Sequence, residues 1–174
     1  SIVRNLLKYK PNSDIVYKVI FYHKKNRKKN RIQDKYNVNK QIHFEFSKTE
    51  NLYAIFRRLK KFISSENSVL VANDIMALRL VNALKLKNPL VYIIHGDFDY
   101  YYKIAKNYQN EIDLFIAYSK FTAQQLTEKL DLQNKNKVKL LYYPTPDIKN
   151  FQKKQNKKLQ LVFVGSFIER KGVQ

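Results

Sequence analysis

Cysteine is absent from the 174 residues, which excludes a disulfide framework, a thiolate nucleophile and any Cys-based metal site. A reducing compartment suits such a chain, and the cytoplasm is its expected location. Only three glycines occur, at positions 96, 165 and 172, and neither a G-x-G-x-x-G dinucleotide loop nor a Walker A loop is found. His23, His43 and His95 are too scattered to suggest a zinc pair, so no protein-bound metal is expected. No apolar run approaches the roughly 18 to 20 residues of a spanning helix, and the N-terminus lacks the order of a secretory signal. The chain is therefore expected neither to cross a membrane nor to be exported. Ser119 lacks the G-x-S-x-G context of a hydrolase nucleophile.

Acidic residues are also scarce, with 14 Asp and Glu against 34 Lys and Arg, a formal net charge of +20. The resulting field attracts phosphates, anionic lipid surfaces or nucleic acid without choosing among them. The run Lys24-Lys25-Asn26-Arg27-Lys28-Lys29-Asn30-Arg31 concentrates that charge. It reads first as a solvated loop, then as a contact for an anionic membrane, and last as a nucleic-acid patch, since no RNP, zinc-finger or helix-turn-helix signature accompanies it.

An apolar content of 44% suffices for a core, and its periodicity alternates between two values. Ile2, Val3, Leu6 and Leu7 have helical spacing ended by Pro11, so the chain is expected to begin in a helix. Ile15–Tyr22 and Gln41–Phe46 read as strands, the second with Ile42, Phe44 and Phe46 on one face. Ser47 and Glu50 make an S-x-x-E capping pattern ahead of a helix carrying Leu52, Ile55, Phe56, Leu59, Phe62 and Ile63. Val69–Ala72 reads as a buried strand, with Asn73 or Asp74 capping the next helix through Leu84.

Leu90–Ile94 and Leu114–Ala117 are continuous apolar runs, as expected of parallel strands covered on both faces. A loop or short helix is expected between them. Ser119 or Thr122 can cap a following helix, and Val138–Tyr142 is the next strand. The predicted fold is α/β, a doubly wound and mostly parallel sheet. Residues 1–146 form its first domain, 147–158 a linker, and 159–174 the start of a second domain.

His95 falls at the carboxyl end of a predicted central strand, the edge where open α/β sheets bind ligands, and Gly96 permits close backbone approach. Asp97, Asp99 and the Tyr100-Tyr101-Tyr102 run could hydrogen-bond and stack on a sugar. Gly165-Ser166, followed by Arg170-Lys171-Gly172, combines a turn after a strand, two cations and a helix N-terminus, a set that can hold a diphosphate. Structural alternatives stand beside each: a strand-end histidine, aromatics seating a helix, a surface turn.

The order of these pieces resembles the retaining, Rossmann-type glycosyltransferases of the GT-B fold, the group called group 1 or family four. Ser1–Leu7 is similar to the helix after the family's glycine-rich loop, Val91–Gly96 to its strand ending in a functional histidine, and Leu114–Phe121 to its strand, serine, helix segment. Val162–Gly165 through Gly172 resembles the start of the donor domain. The resemblance implies transfer of a sugar from a nucleotide-diphosphate sugar to a hydroxyl of a carbohydrate or lipid-linked acceptor. It implies His95 as the catalytic contact to the sugar, Gly165, Ser166, Arg170 and Lys171 at the donor diphosphate, and Asp97, Tyr100 and Ser119 near acceptor or sugar, with no bound cofactor. Ser166 stands where many members carry arginine, which makes Arg170 the candidate second cation.

Relative to that family, the first strand and most of the donor domain are not among these residues, so the chain alone is expected not to catalyse. Strands beside the missing one are expected to have unpaired edges. Two other classes compete: a basic module binding nucleic acid or an anionic surface without catalysis, and another sugar-nucleotide enzyme such as an epimerase.

Overall fold

Residues 16–25, 40–63 and 68–143 are described by a computed structural model of the chain. The expected helix over Ser1–Leu7, most of the basic run, the 147–158 linker and the whole segment from Leu159 to Gly172 lie outside the described residues.

Two strands rich in β-branched and aromatic residues open the described fold. β1 (Lys18–Lys24) pairs in parallel with β2 (Lys40–Phe46), from Lys18 opposite Lys40 to Lys24 opposite Phe46. The expected span of β1 is corrected at both ends, since the strand begins at Lys18, after Val16 and Tyr17, and ends at Lys24. The ladder to β2 carries the strand two residues past Tyr22, and Lys25 N–H donates to the Phe46 carbonyl at 2.9 Å, so the basic run starts on a strand and not in a loop.

α1 (Leu52–Lys60) buries Ile55, Phe56 and Leu59 against Phe44, while Arg57, Arg58 and Lys60 in its last turn complement the helix dipole. Its cap is Asn51, whose Oδ1 accepts from Tyr53 N–H at 2.9 Å. The expected Ser47 and Glu50 box closes a turn one step earlier: Ser47 N–H donates to Glu50 Oε2 at 3.3 Å. Glu50 is then taken by Arg58, whose hydrogen bond holds the carboxyl below its ordinary range.

β3 (Leu70–Ala72), β4 (Leu90–Ile94), β5 (Leu114–Ala117) and β6 (Val138–Leu140) form a four-stranded, all-parallel sheet in that order. The crossovers are α2 (Ile75–Leu84), α3 (Asp99–Asn107) and α4 (Lys120–Lys129), the last followed by a 3₁₀ turn over Leu132–Lys137. Alternate strand residues Leu90, Tyr92, Ile94 and Phe115 share one core with Leu78, Val81, Tyr102, Ile104, Ala105 and Leu126, so the three helices cover one face. Ile93, on the other face of β4, is 1% exposed, as its apolar run requires. β6 ends at Leu140, shorter than expected, although Leu141 N–H still donates to the Ala117 carbonyl at 2.9 Å.

α2 joins the two sheets. Leu80 belongs to the core under β1 and β2, Leu78 and Val81 belong to the larger core, and Leu86 packs against both. Among the described residues no ladder links β1 to β3. What bridges their carboxyl ends is a side-chain contact between the Tyr22 hydroxyl and the Asp74 carboxylate. No helix among the described residues is long and apolar enough to cross a membrane.

Candidate site at the carboxyl edge of the sheet

In a parallel sheet the residues just past each strand gather along one edge. Here β3 delivers Asn73 and Asp74, β4 delivers His95 and Gly96, and β5 delivers Tyr118 and Ser119. His95 therefore sits between two neighbouring strand ends, where the sequence places it.

The half-buried His95 ring lies with Nε2 3.1 Å from the Asn73 carbonyl oxygen. A carbonyl only accepts, so Nε2 carries the proton and Nδ1 keeps the lone pair. Burial lowers the His95 pKa below its ordinary value, and the bond to Asn73 and the Asp74 charge oppose that shift. The imidazole is thus neutral near pH 7: it can orient a hydroxyl but brings no positive charge.

The neighbouring strand ends carry two buried polar atoms that find no partner among the described residues, Asn73 Oδ1 and the Tyr118 hydroxyl. Burial also raises the Tyr118 pKa, so the group stays a protonated phenol and can donate. The Tyr118 ring packs edge-on to Tyr143, with centroids 5.5 Å apart. Three adjacent strand ends therefore offer an acceptor amide oxygen, an imidazole and a phenol. A polyhydroxylated ligand matches that mixture of donors and acceptors.

Other expected contacts have local partners. Asp97 Oδ1 accepts from the Tyr102 hydroxyl at 2.7 Å, and Tyr102 is pushed up to about 12 by burial and then by that bond. Ser119 Oγ accepts from Thr122 N–H at 3.0 Å and donates to Thr122 Oγ1 at 2.9 Å, which makes Ser119 the cap of α4. Tyr100 is 57% exposed and meets Tyr101 edge-on. The space above Gly96 is filled by the Phe98 ring, 3.2 Å from where a Cβ would stand, so a ligand reaching that backbone must displace Phe98. Gly165, Ser166, Arg170 and Lys171 lie outside the described residues.

Asn73, Asp74, Phe98 and Tyr118 join the site without having been singled out as binding residues from sequence. The strand-end position that marked His95 marks Asn73 and Tyr118 equally. Comparisons with protein-family models, with curated proteins and with solved structures find no match to this chain.

Proposed function

We propose that this chain is the acceptor-side part of a retaining GT-B glycosyltransferase, with a Rossmann-like, doubly wound sheet, acting on a nucleotide-diphosphate sugar and an acceptor hydroxyl. The observation that carries this is the neutral His95 at the carboxyl end of β4, with the Asn73 amide oxygen and the Tyr118 hydroxyl, both without a partner among the described residues, at the ends of the two neighbouring strands. Sugars are bound through such neutral hydrogen-bonding groups, and His95 would orient the transferred sugar through them. The sheet order supports the same assignment. The doubly wound order 3-2-1-4-5-6, with its first strand left out, separates one ladder of strands 2 and 3 from another that starts at strand 4. The ladders here are β1 with β2, and β3 to β6.

In the transfer, the bond from the anomeric carbon to the diphosphate breaks with its electron pair going to the diphosphate oxygen, a bond to the acceptor oxygen forms, and the acceptor hydroxyl's proton passes to the departing diphosphate. Arg170 and Lys171 would stabilise the departing diphosphate as fixed cations, the main electrostatic contribution. The enzyme would work in the cytoplasm, at the inner membrane face when the acceptor is lipid-linked.

The test begins with the coding sequence flanking these residues, where a strand with a glycine-rich loop upstream and a domain carrying two closely spaced glutamates downstream are expected. In the protein so defined, His95→Ala should lower kcat at least about tenfold, the effect of losing one orienting group at the reacting centre. A reading frame confined to these residues, or an unchanged kcat, would overturn the assignment. The competing nucleic-acid module would instead show affinity falling steeply with salt.

A further inference from the structure

The end of the fold opposite His95 carries a second feature. α1 starts after the carboxyl end of β2 and α2 after that of β3, so both helices finish at the amino edge of the sheet. Between their last turns lies an open groove of about 740 Å³. Arg57, Lys60, Lys61 and Lys85 line it, and among the described residues no carboxylate does. Arg58 also reaches the groove but is committed elsewhere, to Glu50, to the Glu45 carbonyl at 2.9 Å and to the Phe44 ring.

We infer that this groove is the face by which the protein docks on an anionic phospholipid surface. Charge complementarity selects an anionic occupant. The chemistry of the lining then selects lipid over nucleic acid. Ala83 and Leu84 supply apolar floor, Tyr53 stands 53% exposed, and among the described residues no Asn, Gln, Ser or Thr side chain lines the groove to read a base edge or a 2′-hydroxyl. Exposed Tyr53, Arg57 and Lys61 recur at four-residue spacing, which puts an aromatic and two cations in one stripe along α1.

Lys85 adds an independent sign. It holds a left-handed backbone, φ 46°, at the C-cap of α2, a position where glycine is unstrained. Its side chain lines the groove from that turn.

Vesicle flotation of the full chain, with phosphatidylcholine alone and with 30% phosphatidylglycerol, tests the inference. Binding to the anionic vesicles only is expected, about fivefold weaker for each cation removed, hence about 25-fold weaker in Arg57→Gln/Lys61→Gln. Lys85→Gly separates docking from folding, since it should weaken flotation about fivefold while raising resistance to urea. Equal flotation on both vesicle types, wild-type flotation of the double variant, or tighter binding of a single-stranded RNA oligomer through the same residues would overturn it.

Discussion

The Nε2 nitrogen of His95 lies 3.1 Å from the backbone carbonyl of Asn73, tying the carboxyl end of β4 to that of β3. This one bond fixes the tautomer of the ring. It also occupies a backbone acceptor just beyond the last residue of β3, where ladder bonds cease and a carbonyl would otherwise need water. The orientation of His95 therefore comes from the main chain, which makes it insensitive to side-chain substitution on β3.

A buried, neutral histidine gives stability a defined pH dependence. The folded pKa of His95 is lowered relative to its ordinary value of 6.5. As pH falls through that value the unfolded chain takes up the proton first, so unfolded molecules bind more protons and stability drops. The loss starts below about pH 6.5 and levels off below the folded pKa. Urea midpoints measured from pH 7.5 to 5 should fall, and His95→Gln should flatten that part of the profile. A folded His95 titrating above 6.5 by NMR would contradict the sign.

Asp74 serves two elements at once. Its Oδ1 accepts from Met76 N–H at 2.9 Å and Ala77 N–H at 3.3 Å, capping α2, while Oδ2 meets the Tyr22 hydroxyl of β1. Asp74→Ala should cost about 1 kcal/mol for the cap, read as a lower urea midpoint. Asp74→Asn keeps the capping oxygen and should retain most of that stability. Since the Asp74 charge raises the His95 pKa, either substitution should move the histidine's titration further down, a shift that a purely structural cap would not produce.

Lys85 is the one described non-glycine residue with positive φ. A left-handed conformation costs an L residue roughly 1 kcal/mol, and glycine removes that cost at some expense in unfolded-chain entropy. Lys85→Gly should therefore raise the urea midpoint, whereas Lys85→Val, with a branched Cβ at the same backbone, should lower it.

Burial on both faces made part of this architecture legible in the sequence. Leu90–Ile94 and Leu114–Ala117 are unbroken apolar runs, and they are strands with those bounds. Features set by pairing partners were not legible. β1 runs to Lys24 because β2 is there to receive it, and no local preference of a lysine announces that. α3 gave no start signal, since its N-cap, Phe98, makes no side-chain bond to the helix. At the site, His95 was found from its place past a strand. The significance of Asn73 and Tyr118 rests on what their polar atoms fail to meet, and only the packed neighbours decide that.

The Tyr118 hydroxyl gives the sharpest separation of folding from binding. A buried hydroxyl without a partner costs about 1 to 3 kcal/mol, so Tyr118→Phe should leave the ligand-free protein as stable or more stable. The ring keeps its edge-on contact with Tyr143, so packing is not disturbed. If a sugar supplies the missing partner, the same substitution should weaken its binding about tenfold, the usual worth of one buried hydrogen bond. Calorimetric titration of a nucleotide-sugar or acceptor glycan into wild type and Tyr118→Phe, beside their urea midpoints, reads both effects. A hydroxyl kept only for the fold would show the reverse: a lower midpoint and unchanged binding.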